Sequence, residues 1–179
     1  MRALLDTCVL YPTVMREILL AVAATGAFRP LWSARILEEW ARAARKLGPT
    51  GEAQARGEIA LLSAAWPDAV VTWPPSLENR LYLPDPADIH VLAAAIAGHA
   101  DTLITLNAAD FPRQTLAEEG LTRQAPDEFL YAFWQQNPDA VAAAVEGVRQ
   151  QADRLSGQTW ETRQLLKKAR LPRLGKALS

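Results

Sequence analysis

Carboxylates recur in this chain at four places where an α/β fold turns from strand to helix or opens a helix. They are Asp6 in Leu4-Leu5-Asp6-Thr7, Glu39 in Ile36-Leu37-Glu38-Glu39-Trp40, Asp88 in Asp85-Pro86-Ala87-Asp88, and Asp110 in Asn107-Ala108-Ala109-Asp110-Phe111. Acids gathered in one pocket repel. Two unit charges ~4 Å apart cost about 4 kcal/mol at an effective dielectric of about 20, and three or four such groups multiply the penalty. A divalent cation among them removes it. An all-oxygen donor set suits Mg²⁺ or Mn²⁺, and the chemistry such a centre performs is attack on a phosphate ester.

The elements that must bring these acids together are legible in the hydrophobic pattern. Residues 2–5 read as a buried strand ending in Asp6-Thr7. Apolar positions from Thr13 to Ala24 recur at helical spacing, with Gly26 placed as a C-terminal cap. Ser33 is a natural N-cap for a helix whose face is Ile36, Leu37, Trp40, Ala44 and Leu47, stopped by Gly48-Pro49. On that helix Glu39 lies nearer the apolar face than Glu38, so Glu39 is the inward candidate and Glu38 the solvent residue.

A helix over about 52–65, a strand over Asp68–Trp73 closed by Pro74-Pro75, and an irregular stretch to Tyr82 follow. Asp85 then caps a helix with Pro86 at its first position and an apolar run from Ile89 to Ala97, ended by Gly98. Thr102–Thr105 reads as a strand, Thr115–Glu119 as a helix, Thr122–Ala125 as a weak strand, and Pro126 opens another helix. Alternating strands and helices predict a parallel sheet covered on both faces, with ligands at the carboxyl ends of its strands.

Past Asn137-Pro138 the texture becomes Ala-rich helix, a hydrophilic bend near Ser156-Gly157, and a basic terminal helix broken by Pro172. This predicts a main domain over 1–130 and a helical, basic extension over 131–179. Residues 149–179 carry eight basic and two acidic side chains, although the whole chain of 179 residues has a net charge of −1. An acidic body with a basic tail suits metal binding in one part and a polyanion in the other. The plainer reading is a solvated cluster at helix ends.

The single Cys8 excludes an intrachain disulfide, and two histidines, His90 and His99, make a histidine-rich zinc centre a poor fit. A cytoplasmic protein is expected, since the sequence has neither a leader pattern nor an apolar run of the roughly 20 residues a membrane span needs. Each acid also has a structural reading: a turn aspartate at Asp6, helix-start logic at Asp85 and Asp88, and a turn cap at Asp110, with Asn107 holding its own backbone. His90 and His99 read as packing or surface residues and Cys8 as a small core residue. Tryptophans are core by default, with Trp32, Trp73 and Trp160 as candidates for stacking on bases.

Leu-Leu-Asp-Thr near the start, Trp32-Ser33-x-x-Ile36-Leu37-Glu38-Glu39, Leu83-Pro84-Asp85-Pro86-Ala87-Asp88-Ile89-His90-Val91-Leu92-Ala93-Ala94-Ala95, and Thr105-Leu106-Asn107-x-x-Asp110-Phe111-Pro112 together resemble the PIN domain. More narrowly they resemble the VapC-like toxin branch of bacterial toxin–antitoxin systems, over roughly residues 1–130. The resemblance implies a three-layer α/β/α fold with a short central parallel sheet. It also implies a Mg²⁺- or Mn²⁺-dependent endoribonuclease with Asp6, Glu39, Asp88 and Asp110 as catalytic and metal-binding acids. Thr7, Thr105 and Asn107 become candidate contacts to phosphate or metal-bound water, and Arg163, Lys167, Lys168 and Arg170 candidate RNA contacts. Many members carry a further aspartate where this chain has Asn107, so the fourth ligand stays open between Asp110 and water.

Expected partners are an RNA substrate, an antitoxin protein and a second copy of the chain, with no membrane. Two other classes compete. A haloacid-dehalogenase-type phosphohydrolase also begins with a strand ending in aspartate, but needs a second aspartate where Cys8 stands. A metal-free PIN-like module binding RNA or a partner is made thinkable by Asn107.

Overall fold

The computed structural model describes residues 1–179. In chain order its elements are β1 (Arg2–Leu5), α1 (Thr7–Leu10), α2 (Thr13–Ala24), β2 (Arg29–Leu31), α3 (Ala34–Ala43), α4 (Gly51–Ala65), α5 (Pro75–Asn79) and α6 (Ile89–Ala97). Then come β3 (Thr102–Ile104), α7 (Arg113–Glu118), β4 (Thr122–Gln124), α8 (Pro126–Gln136), α9 (Pro138–Ser156), α10 (Thr162–Lys168) and α11 (Pro172–Ala177). Short 3₁₀ turns cover Ala44–Leu47, Pro86–Asp88 and Ala108–Asp110.

The sheet has the order β2-β1-β3-β4. β1 pairs in parallel with β2 through Leu4 opposite Leu31, and with β3 through Leu4 opposite Leu103 and Leu5 opposite Ile104. Ala3, Leu4 and Leu5 are wholly buried, as a central strand covered on both faces requires. The fold is thus α/β, helices layered over a short parallel sheet, with further helices at the C-terminal end. Because the chain leaves β1 toward β2 on one side and later returns to β3 on the other, a crevice opens at the carboxyl end of β1. Asp6 stands there.

Contacts divide the chain into two compact units, residues 1–11 with 29–123, and residues 12–28 with 124–179. The first holds the sheet, α1 and α3 to α7. Ser33 caps α3 by accepting a hydrogen bond from the Ile36 N–H at 3.1 Å, and Ile36, Leu37, Trp40 and Ala41 form the buried face of α3. α6 buries Val91, Leu92, Ala93, Ala94 and Ala95, as an apolar run on nearly all sides demands. Gly98 ends it where a Cβ would lie 2.9 Å from Leu31 Cδ1 and 3.0 Å from Val71 Cγ2.

One expected strand is largely missing. Of Asp68–Trp73 only Val70 forms a bridge, opposite Trp32 just past β2. β2 itself is three residues long, and Pro74 and Pro75 have no N–H with which to extend a ladder; Pro75 instead opens α5.

The second unit is helical. α2 buries Met15, Ile18, Leu19 and Val22, and packs chiefly with α9, whose inner face is Val141, Val145 and Val148. Phe28, Phe129 and Phe133 form a ring cluster with centroids 4.8, 4.9 and 5.6 Å apart. Asp127 of α8 accepts from the N–H groups of Arg173 and Leu174 at 2.8 and 2.9 Å, capping α11 from a neighbouring helix. Gly157 closes α9 in the left-handed conformation, φ 68°. Pro172 does break the terminal helix, but by opening a new one, α11, after the turn at Arg170. No helix is long and apolar enough to cross a membrane.

Candidate active site

Asp6 is the most firmly held acid. It is 5% exposed and its N–H continues the sheet ladder to the Ile104 carbonyl at 3.1 Å. Its carboxylate accepts from the Thr7 N–H at 2.7 Å, from the Thr105 hydroxyl at 2.8 Å and from the Cys8 thiol at 3.4 Å. Thr105 follows β3, so the ends of the two adjacent strands are tied together through this side chain. Burial raises the Asp6 carboxyl above its ordinary value, and the three donors together only moderate that rise.

Thr105 is in turn held by the Asn107 N–H, 3.0 Å from its hydroxyl oxygen. The Asn107 side chain itself belongs to an exposed residue. Glu39 reaches the site from α3: its Oε2 accepts from the Thr7 hydroxyl at 3.0 Å, and its Oε1 lies 2.7 Å from His90 Nε2. Burial alone would raise the Glu39 carboxyl; His90, Thr7 and Arg35 bring it below its ordinary value. Glu38 points elsewhere, into a surface ion network with Arg42 and Arg56.

Asp88, half-buried at the start of α6, is pushed up to about 6, by burial first and then by the charges of Asp110, Asp6 and Asp85. The charges of Asp6, at the end of β1, and Asp110, in the turn after β3, therefore bear on Asp88 at the start of α6. They do not close into a ready-made cluster of three or more metal-ligating side chains. Unneutralised carboxylates have no reason to close, since their repulsion grows as they approach. The donor set nevertheless fits a hard divalent cation: all oxygen, acidic, and already paying an electrostatic penalty at Asp88 that such an ion relieves.

Two residues at the site escaped sequence reasoning. Cys8 is no ordinary core residue: it donates to Asp6 and accepts from the Leu106 N–H at 3.3 Å. Burial, followed by the Asp6 charge, pushes its thiol up to about 12, so it stays protonated and able to donate. His90 is 1% exposed and touches Glu39. Its signal was present in the sequence, since an imidazole inside the wholly apolar run Ile89–Ala97 is costly without a reason to be there.

Among the tryptophans offered for base stacking, Trp32 is fully buried and belongs to the core. Trp73 donates its indole N–H to Glu78 at 2.9 Å, and Trp160 lies under the Lys168 ammonium, 5.0 Å from the ring centroid. Arg163, Lys167, Lys168 and Arg170 are all exposed on α10 and the turn after it, in the helical unit.

Residues 2–109 match the family model PIN_3, described as PIN domain. Among solved structures, VapBC-1 from nontypeable Haemophilus influenzae is similar at 20% identity, covering 70% of this chain and 98% of that chain, with a TM-score of 0.47. No curated protein matches the sequence.

Proposed function

The chain belongs to the PIN domain family, and on that premise we propose that it is a Mg²⁺- or Mn²⁺-dependent endoribonuclease, the toxin of a toxin–antitoxin pair. The observation that supports the reading is electrostatic coupling between acids from separate segments: Asp6 is buried and tied to Thr105 across two strand ends, and the charges of Asp6 and Asp110 bear on Asp88.

Asp6 and Asp88 are the principal residues to hold the ion, with Glu39 and Asp110 completing the set directly or through water. When bound, the cation supplies Lewis acidity toward the phosphodiester and acidifies water. The chain's own contribution is orientation. Thr7, Thr105 and Cys8 fix both oxygens of Asp6, so this carboxylate needs no rearrangement on loading. Thr7, Thr105 and Asn107 are the candidate contacts to phosphate or metal-bound water. Exposed Arg163, Lys167, Lys168 and Arg170 offer sequence-independent charge to an RNA backbone. The sequence resemblance adds an antitoxin as partner and a homodimer as the assembled form.

Asp6→Asn and Asp88→Asn are each expected to lower RNA cleavage by at least about 10²-fold, the scale of losing one preorganised electrostatic group, while circular dichroism keeps the wild-type fold and metal-free Asp88→Asn unfolds no more easily than wild type. Near-normal Mg²⁺-dependent cleavage by both variants would overturn the assignment. A second reading, a metal-free module binding RNA or a partner, is favoured by the open arrangement of the acids. A Mn²⁺ titration followed by thermal unfolding separates the two, because only a site that binds the ion is stabilised by it.

A further inference from the structure

His90 is a polar side chain that the mechanism above leaves unused. It sits in the first turn of α6, 1% exposed, among Ile89, Val91 and Leu92. Nδ1 has no hydrogen-bond partner, and Nε2 approaches Glu39 Oε1 to 2.7 Å without completing a well-formed hydrogen bond. A leucine would fill this space without leaving ring nitrogens orphaned in the interior. Packing therefore does not account for an imidazole here, and the polar group it approaches is Glu39, 2.7 Å away.

Glu39 needs holding. Its side chain is 40% exposed, it is long and rotamer-rich, and Arg35 on the same helix, itself 54% exposed, stands 4.0 Å from Oε1. Against that outward pull, the two carboxylate oxygens are held one each: Oε2 by the Thr7 hydroxyl at 3.0 Å and Oε1 by His90. Thr7 also donates its N–H to Asp6, so the support of Glu39 is continuous with that of the most buried acid. The His90 ring is immobilised by the helix and the apolar side chains around it, which makes it a rigid stop rather than a second flexible partner.

We propose that His90 is a positioning residue which, together with Thr7, holds the Glu39 carboxylate at the site before any ion is present and so preorganises the acidic set for a divalent cation. The proposal rests on the nuclease reading above. It extends that reading to a residue two positions beyond Asp88 that touches neither substrate nor reacting atoms.

The test is a thermal-unfolding titration of the full chain with Mn²⁺ alone, comparing wild type, His90→Leu, His90→Asn, Glu39→Gln and the double variant His90→Leu/Glu39→Gln. His90→Leu keeps the volume and removes the donor; it is expected to raise the half-saturating Mn²⁺ concentration about 10-fold, the lower end of what losing a group that orients a metal ligand costs. His90→Asn, which keeps a donor, is expected to recover most of that loss. In the Glu39→Gln background the His90→Leu effect should vanish, because the two act as one unit. In cleavage assays His90→Leu should lower kcat and leave KM for RNA unchanged.

A wild-type Mn²⁺ midpoint in His90→Leu, or an undiminished effect in the Glu39→Gln background, overturns the proposal and makes His90 a packing residue. If His90→Leu does not fold, His90→Ala carries the same comparison. Absence of any Mn²⁺ shift in the wild-type protein is a different result: it overturns the metal-dependent reading and this proposal with it.

Discussion

At the scale of single residues, Asp88 is where the electrostatics of the site become measurable. Its carboxyl is pushed up to about 6 in the folded protein, by burial and then by neighbouring carboxylates, against about 3.9 for an unperturbed aspartate. Between those values the folded state binds more protons than the unfolded one, so the group's penalty is full above the folded value and is relieved as pH falls through it. Metal-free protein is therefore expected to become more stable on acidification from about pH 7 to about pH 5. Asp6, also raised, contributes with the same sign. Below that window the trend reverses, because Glu38, Glu52 and Glu146, held down to about 2 by arginine partners, lose those partners as they protonate. Urea denaturation in the presence of a chelator measures the slope, and Asp88→Asn should make it shallower; an identical slope in the variant contradicts the raised value. Residue types and helix spacing made Glu39 rather than Glu38 the inward candidate, and each stands where that reasoning put it. Cys8 was illegible because its partners Thr105 and Leu106 are 97 and 98 positions away; the oddity of His90 in an apolar run was readable, but its partner Glu39, 51 positions away, was not.

At the scale of elements, signals carried within one segment were the readable ones. α2 runs from Thr13 to Ala24, the span its apolar spacing predicts, and Ser33 caps α3 through the Ile36 N–H. That cap is 1% exposed, so Ser33→Ala leaves a buried amide without its acceptor and is expected to cost about 1–2 kcal/mol, read from the shift in urea midpoint at constant slope. A cost near zero would mean that another acceptor takes over. Elements that depend on a neighbour were read less well. Asp68–Trp73 has the composition of a strand but only one bridging residue, because the edge offered by β2 is short. α1 was missed for the opposite reason: four residues are too few for periodicity, and its start is set by Asp6 accepting the Thr7 N–H.

At the scale of the whole molecule, the acids belong to one compact unit and the exposed cluster Arg163, Lys167, Lys168 and Arg170 to the other. If that cluster grips RNA, neutralising it should flatten the dependence of binding on salt by up to about 3 in the slope of log K against log salt, at ~0.7 per phosphate contact on a single strand. Glutamine suits the three helical positions, while Arg170, with φ 63°, is better replaced by asparagine, which tolerates that conformation. An unchanged slope returns the cluster to a solvated helix end. Substitution is a cleaner probe than deletion, because removing residues from 149 onward would also take away half of α9 and the whole of α10 and α11.

The membership of α2 in the helical unit has a further consequence, one of timing. A ribosome delivers α2 first, and its main packing partner α9 begins more than a hundred residues later. At typical synthesis rates of about 5–20 residues per second, Met15, Ile18, Leu19 and Val22 must wait on the order of ten seconds for the surface that covers them. During translation the growing polypeptide thus carries an uncovered greasy helix for as long as the stretch between α2 and α9 takes to make.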